Sequence, residues 1–339
     1  MARSRALLSE DMRQKLKDDF IFLICLICLE IGSAFYYGIR VILLFLTSIV
    51  VSFIGNWICE KLSGRIIRIA NLEPAVIGAL FVCLLPPSAS YWMVIFGALF
   101  AQFIVLLPFG GEKNCHISSV AAAFCFCAIS WSAEIFRFPV PFTTLHAFKS
   151  IDPALLTTSP AKALMMGGKP IYSIWEMLLG AVPGAMGTTC IFLILAAFIV
   201  FIQRKKSGTY MTATTLITFF ILSLIFNRTT INPLTASIFE LLSGSVAFGA
   251  VFMVPRFGRF LENKTAGILF SLATGIFSVF FRFFGGFEES FCFALLLTSI
   301  MIPFFNQISP DALKLSLKLV KYVKQFLDKI IKRKEKKAI

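Results

Sequence analysis

The sequence predicts an all-α polytopic membrane protein, with about ten transmembrane helices in two inverted five-helix repeats that include broken half-helices. Three observations carry this. First, 58% of the 339 residues are hydrophobic, only 15% are charged and 39 are Phe. A soluble chain cannot hide that much apolar surface. Second, the apolar runs are separated by short loops, several of them basic. Third, motifs of the first half return in the second. Val76-Ile77-Gly78-Ala79-Leu80-Phe81 matches Ala247-Phe248-Gly249-Ala250-Val251-Phe252, and Phe109-Gly110-Gly111 matches Phe284-Gly285-Gly286. Common small-residue packing produces such matches too. A true repeat with an odd number of spans per half places its copies in opposite orientations, with the working site at their interface near mid-membrane.

The elements follow in order. Residues 1–19 form a basic cytoplasmic N-terminus, with no cleavable signal apparent. The first membrane repeat covers 20–132. Its spans are Phe20–Gly38, Ile39–Cys59, a short run from Glu73-Pro74 to Pro86-Pro87 that is a half-helix or a tilted span, then Tyr91–Phe109 and Ile117–Trp131. The second repeat covers 174–305. Pro183, Gly184 and Gly187 break its entry, and the spans are Thr189–Gln203, Tyr210–Phe226, one opening at Asn232–Ser245, Ala266–Phe284 and Phe287–Phe304. Backbone broken by Pro and Gly at membrane depth is tolerated only under protein cover or beside a cavity. In the tail, 306–339, an apolar stripe of Leu313, Leu317, Val320, Val323, Leu327 and Ile330 is flanked by lysines. That pattern reads as a cytoplasmic amphipathic helix on anionic lipid.

Lys61, Arg65, Arg68, Arg204, Lys205, Lys206, Arg256, Arg259 and Lys264 mark one face as cytoplasmic. The net charge of +14 therefore points to loop retention and the lipid bilayer surface, not to nucleic acid. Most of the nine Cys lie inside apolar runs and act as small packing residues. Cys25-Leu26-Ile27-Cys28 lacks a second pair at metal-binding spacing, so no metal site is expected.

The loop at 133–173 falls on the opposite, periplasmic side. It holds Glu134, Arg137, Lys149, Asp152, Lys162, Lys169 and five prolines, so it is no long helix. At its centre Asp152-Pro153-Ala154-Leu155-Leu156-Thr157-Thr158-Ser159-Pro160 makes a polar turn. On composition alone it reads equally well as a solvated connector. Glu30, Glu176 and Glu240 lie in or at the edge of spans. Charge there is costly, which makes them ion-path candidates, although a Glu near a helix end can simply be hydrated.

These motifs resemble the D subunit of Rnf electron-transport complexes, a relative of the B subunit of the sodium-pumping NADH:quinone reductase. The resemblance runs from about Leu29 to Ile308 through Ala34–Arg40, the run ending in Pro86-Pro87, Pro183-Gly184 with Gly187, and Asn232–Ser245. In the outer loop the chain has one residue too many between Asp152 and Pro160, or a displaced Asp, against the family pattern, and it departs from that pattern in three further places. Asn114–Ser119 replaces an Asn-Pro motif, Thr188 replaces a Glu, and Val254-Pro255-Arg256 replaces an Asp-containing ending.

The resemblance implies FMN held by a phosphoester on Thr158, six residues after Asp152, or on Ser159, just before the Pro. Asp152 would be read by a flavin transferase. A second flavin, riboflavin, would sit in the membrane bundle. The chain would relay electrons, coupled to Na+ or H+ transport, in the bacterial inner membrane. It would be a subunit among other membrane and peripheral redox subunits and not catalytic alone, which agrees with the lack of an NAD fingerprint or iron–sulfur motif. The alternative is an inverted-repeat secondary transporter or channel with no redox cofactor.

Overall fold

The computed structural model describes residues 2–64, 71–149, 151–204 and 208–308, with side chains from residue 14 onward. The tail from residue 309, together with Arg65, Arg68, Lys205 and Lys206, lies outside the described residues.

Helix α1 (Ala2–Tyr37) joins the basic N-terminal segment and the first apolar run without a break. It has no Pro and only one Gly to interrupt it. After a turn at Gly38 comes α2 (Ile39–Leu62). Pro74 sits in the first turn of α3 (Glu73–Cys83), which stops short of Pro86-Pro87 and is buried along its whole length. Helix α4 (Tyr91–Phe109) is continuous and carries a π-helical stretch over Phe100–Leu106. Ser118 caps α5 (Ser119–Ser130) by accepting from the Ala121 N–H.

The outer loop pairs β1 (Phe138–Pro139) antiparallel with β2 (Leu156–Thr157) and adds the short helices α6 (Pro160–Met165) and α7 (Ile174–Leu179). The second half comprises α8 (Ile191–Gln203), α9 (Thr209–Ile225), α10 (Pro233–Leu242), α11 (Val246–Phe260), α12 (Lys264–Phe283), α13 (Ser290–Ile300) and the terminal turns α14 (Ile302–Gln307). Between α10 and α11 the chain bends by 66°.

By length and composition α1 (from Gln14), α2, α4 and α12 can cross a membrane, and the bent α10–α11 pair makes a fifth span. Helices α3, α5, α8, α9 and α13 are shorter apolar helices of 10–17 residues. Among the described residues these are the ten apolar segments the sequence predicts, but half of them are shorter than the roughly 20 residues of a typical span, and four of those, α3, α5, α8 and α13, are too short to cross alone. The outward faces suit lipid. Ile24, Ile27, Ile31 and Phe35 on α1 and Ile268, Leu272, Ile276 and Phe280 on α12 form exposed apolar stripes at helical spacing. The protein is an all-α polytopic membrane protein.

The halves repeat each other in packing. Helix α2 packs on α4 as α9 packs on α12, and α4 packs on α5 as α12 packs on α13. Across the halves first meets first and fifth meets fifth, with α1 on α8 and α5 on α13. Phe22 of α1 stacks on Phe201 of α8 at 5.4 Å. The matched small-residue runs are both fully buried. In each half a hydroxyl of the second helix grips the run's backbone. Ser48 donates to the Gly78 carbonyl at 2.7 Å, and Thr212 donates to the Ala250 carbonyl at 2.8 Å. Close approach explains the small residues, since a β-carbon on Gly249 would lie 2.1 Å from the Phe291 ring.

The two Gly-Gly turns lie at opposite ends. The residue after Gly110-Gly111 pairs with Arg256 and Arg259, just before α12 begins, whereas Gly285-Gly286 follows the end of that 20-residue helix, about 30 Å away.

Candidate functional site

Asp152 accepts from the Ala154 N–H at 3.0 Å and caps the single 3-10 turn Pro153–Leu155. That turn delivers the chain into β2, whose pairing with β1 keeps Leu156-Thr157 extended. Thr158 follows, exposed, and its hydroxyl makes no hydrogen bond among the described residues. Ser159 is buried at 4% exposure. Its hydroxyl caps α6, accepting from the Lys162 N–H at 3.3 Å, and donates to the Glu288 carboxylate. The two attachment candidates therefore differ sharply. Thr158 offers a free hydroxyl on the surface, and Ser159 is committed on both sides.

The Ser159 contact leads into a buried polar cluster. Arg282, near the end of α12 and 2% exposed, is its centre. Its guanidinium lies 3.2 Å from the Glu240 carboxylate and donates to the backbone carbonyls of Glu240 (2.7 Å), Ser243 (3.1 Å) and Glu288 (3.3 Å). The Glu240 and Ser243 carbonyls are freed where α10 ends at the bend, so the arginine caps a broken helix. Gly244 makes the bend at φ 69°, where a β-carbon would lie 2.6 Å from Arg282 Nη2 and 3.1 Å from the Glu289 carboxylate. Glu289 in turn accepts from the Ser245 N–H at 2.7 Å. Arg228 reaches Glu240 at 3.9 Å and ties itself to the end of α12 through the Arg282 carbonyl at 3.1 Å.

Glu288 lies in the turn after α12 and is buried, and burial pushes its carboxyl up to about 7 despite the Ser159 hydrogen bond. Burial also raises Glu289, against the pull of Ser245 and Arg282.

At the inner end Glu112, directly after Gly110-Gly111, pairs with Arg256 and with Arg259 at 2.8 Å. Burial works to raise its carboxyl, but the two guanidiniums outweigh burial and hold it below the usual range. Glu73 pairs with Lys15 and stands 3.8 Å from Arg259. A cavity of about 820 Å³ opens beside these groups, lined among others by Asn56, Asn71, Gln102 and Asn114.

Of the acidic residues singled out in the sequence, Glu240 joins the outer cluster. Glu30 is buried at 2% in α1, next to the Cys83 thiol and apart from both clusters. Glu176 is exposed and forms a capping box with Ser173, whose N–H donates to it at 2.6 Å. That local role occupies its carboxylate outside the bundle. Glu112, Glu288, Glu289 and Arg282 carry the clusters, and sequence reasoning did not pick them out. The available signal was an acid one or two residues after each Gly-Gly turn. No group of three or more metal-ligating side chains occurs among the described residues.

A family model described as NQR2, RnfD, RnfE family matches residues 11–314. The chain is 22% identical over 283 residues to the D subunit of the Na(+)-translocating ferredoxin:NAD(+) oxidoreductase complex of Acetobacterium woodii, covering 82% of this chain and 84% of that protein. It is 24% identical over 306 residues to the D subunit of the proton-translocating ferredoxin:NAD(+) oxidoreductase complex of Clostridium ljungdahlii, covering 84% and 88%. It is 22% identical over 311 residues to the D subunit of the ion-translocating oxidoreductase complex of Shewanella frigidimarina, covering 84% and 89%.

Proposed function

The chain belongs to the NQR2, RnfD, RnfE family, and from this premise we propose that it is the membrane subunit of an ion-translocating oxidoreductase complex of the bacterial inner membrane, carrying FMN esterified to Thr158. The observation that favours Thr158 is the contrast with its neighbour. Its hydroxyl is exposed and free among the described residues, while that of Ser159 is buried between Lys162 and Glu288. Pro160 is disposed to keep the preceding residues extended, which suits access by a flavin transferase. Asp152 shapes the turn that presents Thr158.

The attached FMN supplies one-electron transfer; the protein's part is to hold it at the outer face and set its surroundings. A non-covalent riboflavin belongs to the same proposal, and the inner cavity has the volume for a ligand of that size. The other subunits of the complex supply the electron donor and acceptor. The coupled cation is Na+ or H+, and of the ion-path candidates Glu30 and Glu240 are buried in membrane helices, Glu240 already paired with Arg282 and Arg228.

The test is co-expression with a cognate flavin transferase, followed by fluorescence of the denatured band and peptide mass mapping. Thr158→Ala is expected to abolish the fluorescence, and Ser159→Ala to keep it. The reverse result moves the site to Ser159. A colourless wild type, with the transferase shown active on another substrate, leaves a transporter or channel without a redox cofactor as the better reading.

A further inference from the structure

The buried outer cluster is unevenly paired. Three carboxylates, Glu240, Glu288 and Glu289, lie with two guanidiniums, Arg282 and Arg228. Both guanidiniums are directed at Glu240. Glu289 takes the Ser245 N–H and faces Arg282 across Gly244. Glu288 has no ion pair among the described residues, and the Ser159 hydroxyl is its hydrogen-bond partner. The other charges facing it are Lys162, half-buried on α6, Glu289 beside it and Arg282 from α12. A fully ionised cluster would thus keep one buried carboxylate without a guanidinium, which is costly. A carboxyl in that position holds a proton instead. Glu288 can exchange one with the outer water, because Phe284–Phe287 just before it is an exposed turn.

We propose that Glu288 is a proton-exchanging residue, and that its protonation controls how firmly Ser159 docks the Thr158 segment on the membrane bundle. The step is an O–H bond formed or broken on the Glu288 carboxyl, with the proton taken from or given to outer water. When Glu288 is ionised, the Ser159 O–H donates to a charged acceptor and the contact is strong. When Glu288 is protonated, that charge assistance is lost, the bond to Ser159 becomes an ordinary neutral one, and the segment relies more on the β1–β2 pairing and on Leu164 of α6 packed against Phe239. The raised carboxyl of Glu288, about 7, puts the change near neutral pH. The proton exchange stands on the cluster alone; its effect on a flavin rests on the reading of Thr158 given above. The phosphodiester of an attached flavin would add negative charge one residue from Ser159 and hold the proton on Glu288 to higher pH.

The test is an infrared pH titration of the full-length chain in lipid nanodiscs, reading the carbonyl band of protonated carboxyl groups. Several buried carboxyls contribute to that band, and in the wild type one component of it is expected to titrate near pH 7. That component should be lost in Glu288→Gln, and its midpoint should move to higher pH in Ser159→Ala, because the bond that favours the ionised form is gone. A wild-type-minus-Glu288→Gln difference with no component near pH 7, or a midpoint that Ser159→Ala leaves in place, overturns the proposal. If Glu288→Gln does not fold, the Ser159→Ala midpoint decides alone. Repeating the titration on flavinylated chain should raise the midpoint further, and an unchanged midpoint on fully loaded chain overturns the docking link. Failure to load flavin at all removes the reading of Thr158 and leaves the unmodified titration intact.

Discussion

The two ends of the bundle use the same device with opposite outcomes. In each half an acidic residue follows a Gly-Gly turn and folds back into the protein. At the inner end Glu112 meets both Arg256 and Arg259 and is kept ionised. At the outer end the arginines are drawn to Glu240 and the freed carbonyls of the bend, and Glu288 is left with a serine. An acid with two guanidiniums is a structural bolt. One with a hydroxyl, near neutral pH, is free to change charge. The inverted halves thus need not share chemistry even where they share a turn, because the partner comes from a different element in each.

This contrast can be broken or sharpened by substitution. The largest effect is expected from Arg282→Met, which leaves Glu289 with no guanidinium, Glu240 with Arg228 alone at 3.9 Å, and the carbonyls at the bend uncapped. A loss of about 3–5 kcal/mol, read as a drop in thermal midpoint in detergent, is expected. An unchanged midpoint would mean the cluster does not hold the bend. Next is Glu112→Gln, which weakens two charge-assisted contacts at once and should cost about 1–3 kcal/mol at neutral pH.

The pH dependences should run in opposite directions. The depressed carboxyl of Glu112 contributes stability above the ordinary carboxylate range, which is lost as pH falls through its lowered value. The raised carboxyl of Glu288 contributes stability below about 4.5, which is lost as pH rises through about 7. Glu288→Gln should therefore become relatively more stable than wild type as pH climbs through that window, and Glu112→Gln relatively less stable at neutral than at low pH. Thermal midpoints of both variants across pH would show whether the slopes oppose. The smallest effect is expected from Glu176→Gln, which loses only part of an exposed capping box, should leave the thermal midpoint nearly where it is, and leaves ion transport unchanged.

The helices were legible in the sequence because apolar runs and basic loops report the bilayer directly, and the outer loop stood out because prolines and charges cannot cross one. The choice between Thr158 and Ser159 was not legible. They are adjacent, and what separates them is the Ser159 bond to Glu288, 129 residues away. Reading by runs also counted Glu288 and Glu289 into the last apolar span, Phe287–Phe304, whereas the helix begins at Ser290, and so passed over the residues that fold back into the bundle. Arg282 falls inside the run Ala266–Phe284, and nothing local shows that it caps the break at Gly244. Glu176 was readable in another way, because Ser173-Ile174-Trp175-Glu176 has the capping-box spacing.

The shortness of half the apolar helices bears on how the chain is made. An 11-residue helix such as α3 is about 16 Å long, roughly half the hydrocarbon thickness. It cannot leave a translocation channel for lipid alone, because its ends would strand unpaired backbone groups in hydrocarbon. During synthesis α3 must wait until α4 and α5 have emerged, or shelter against α1 and α2, which are already long enough to stay. Likewise the bent α10–α11 pair has no complete cover until α12 brings Arg282 to its broken end. The ribosome would thus have to finish each half before its interior elements could settle, so a nascent chain stopped after α11 should remain open to the quality-control proteases that remove unfinished membrane proteins.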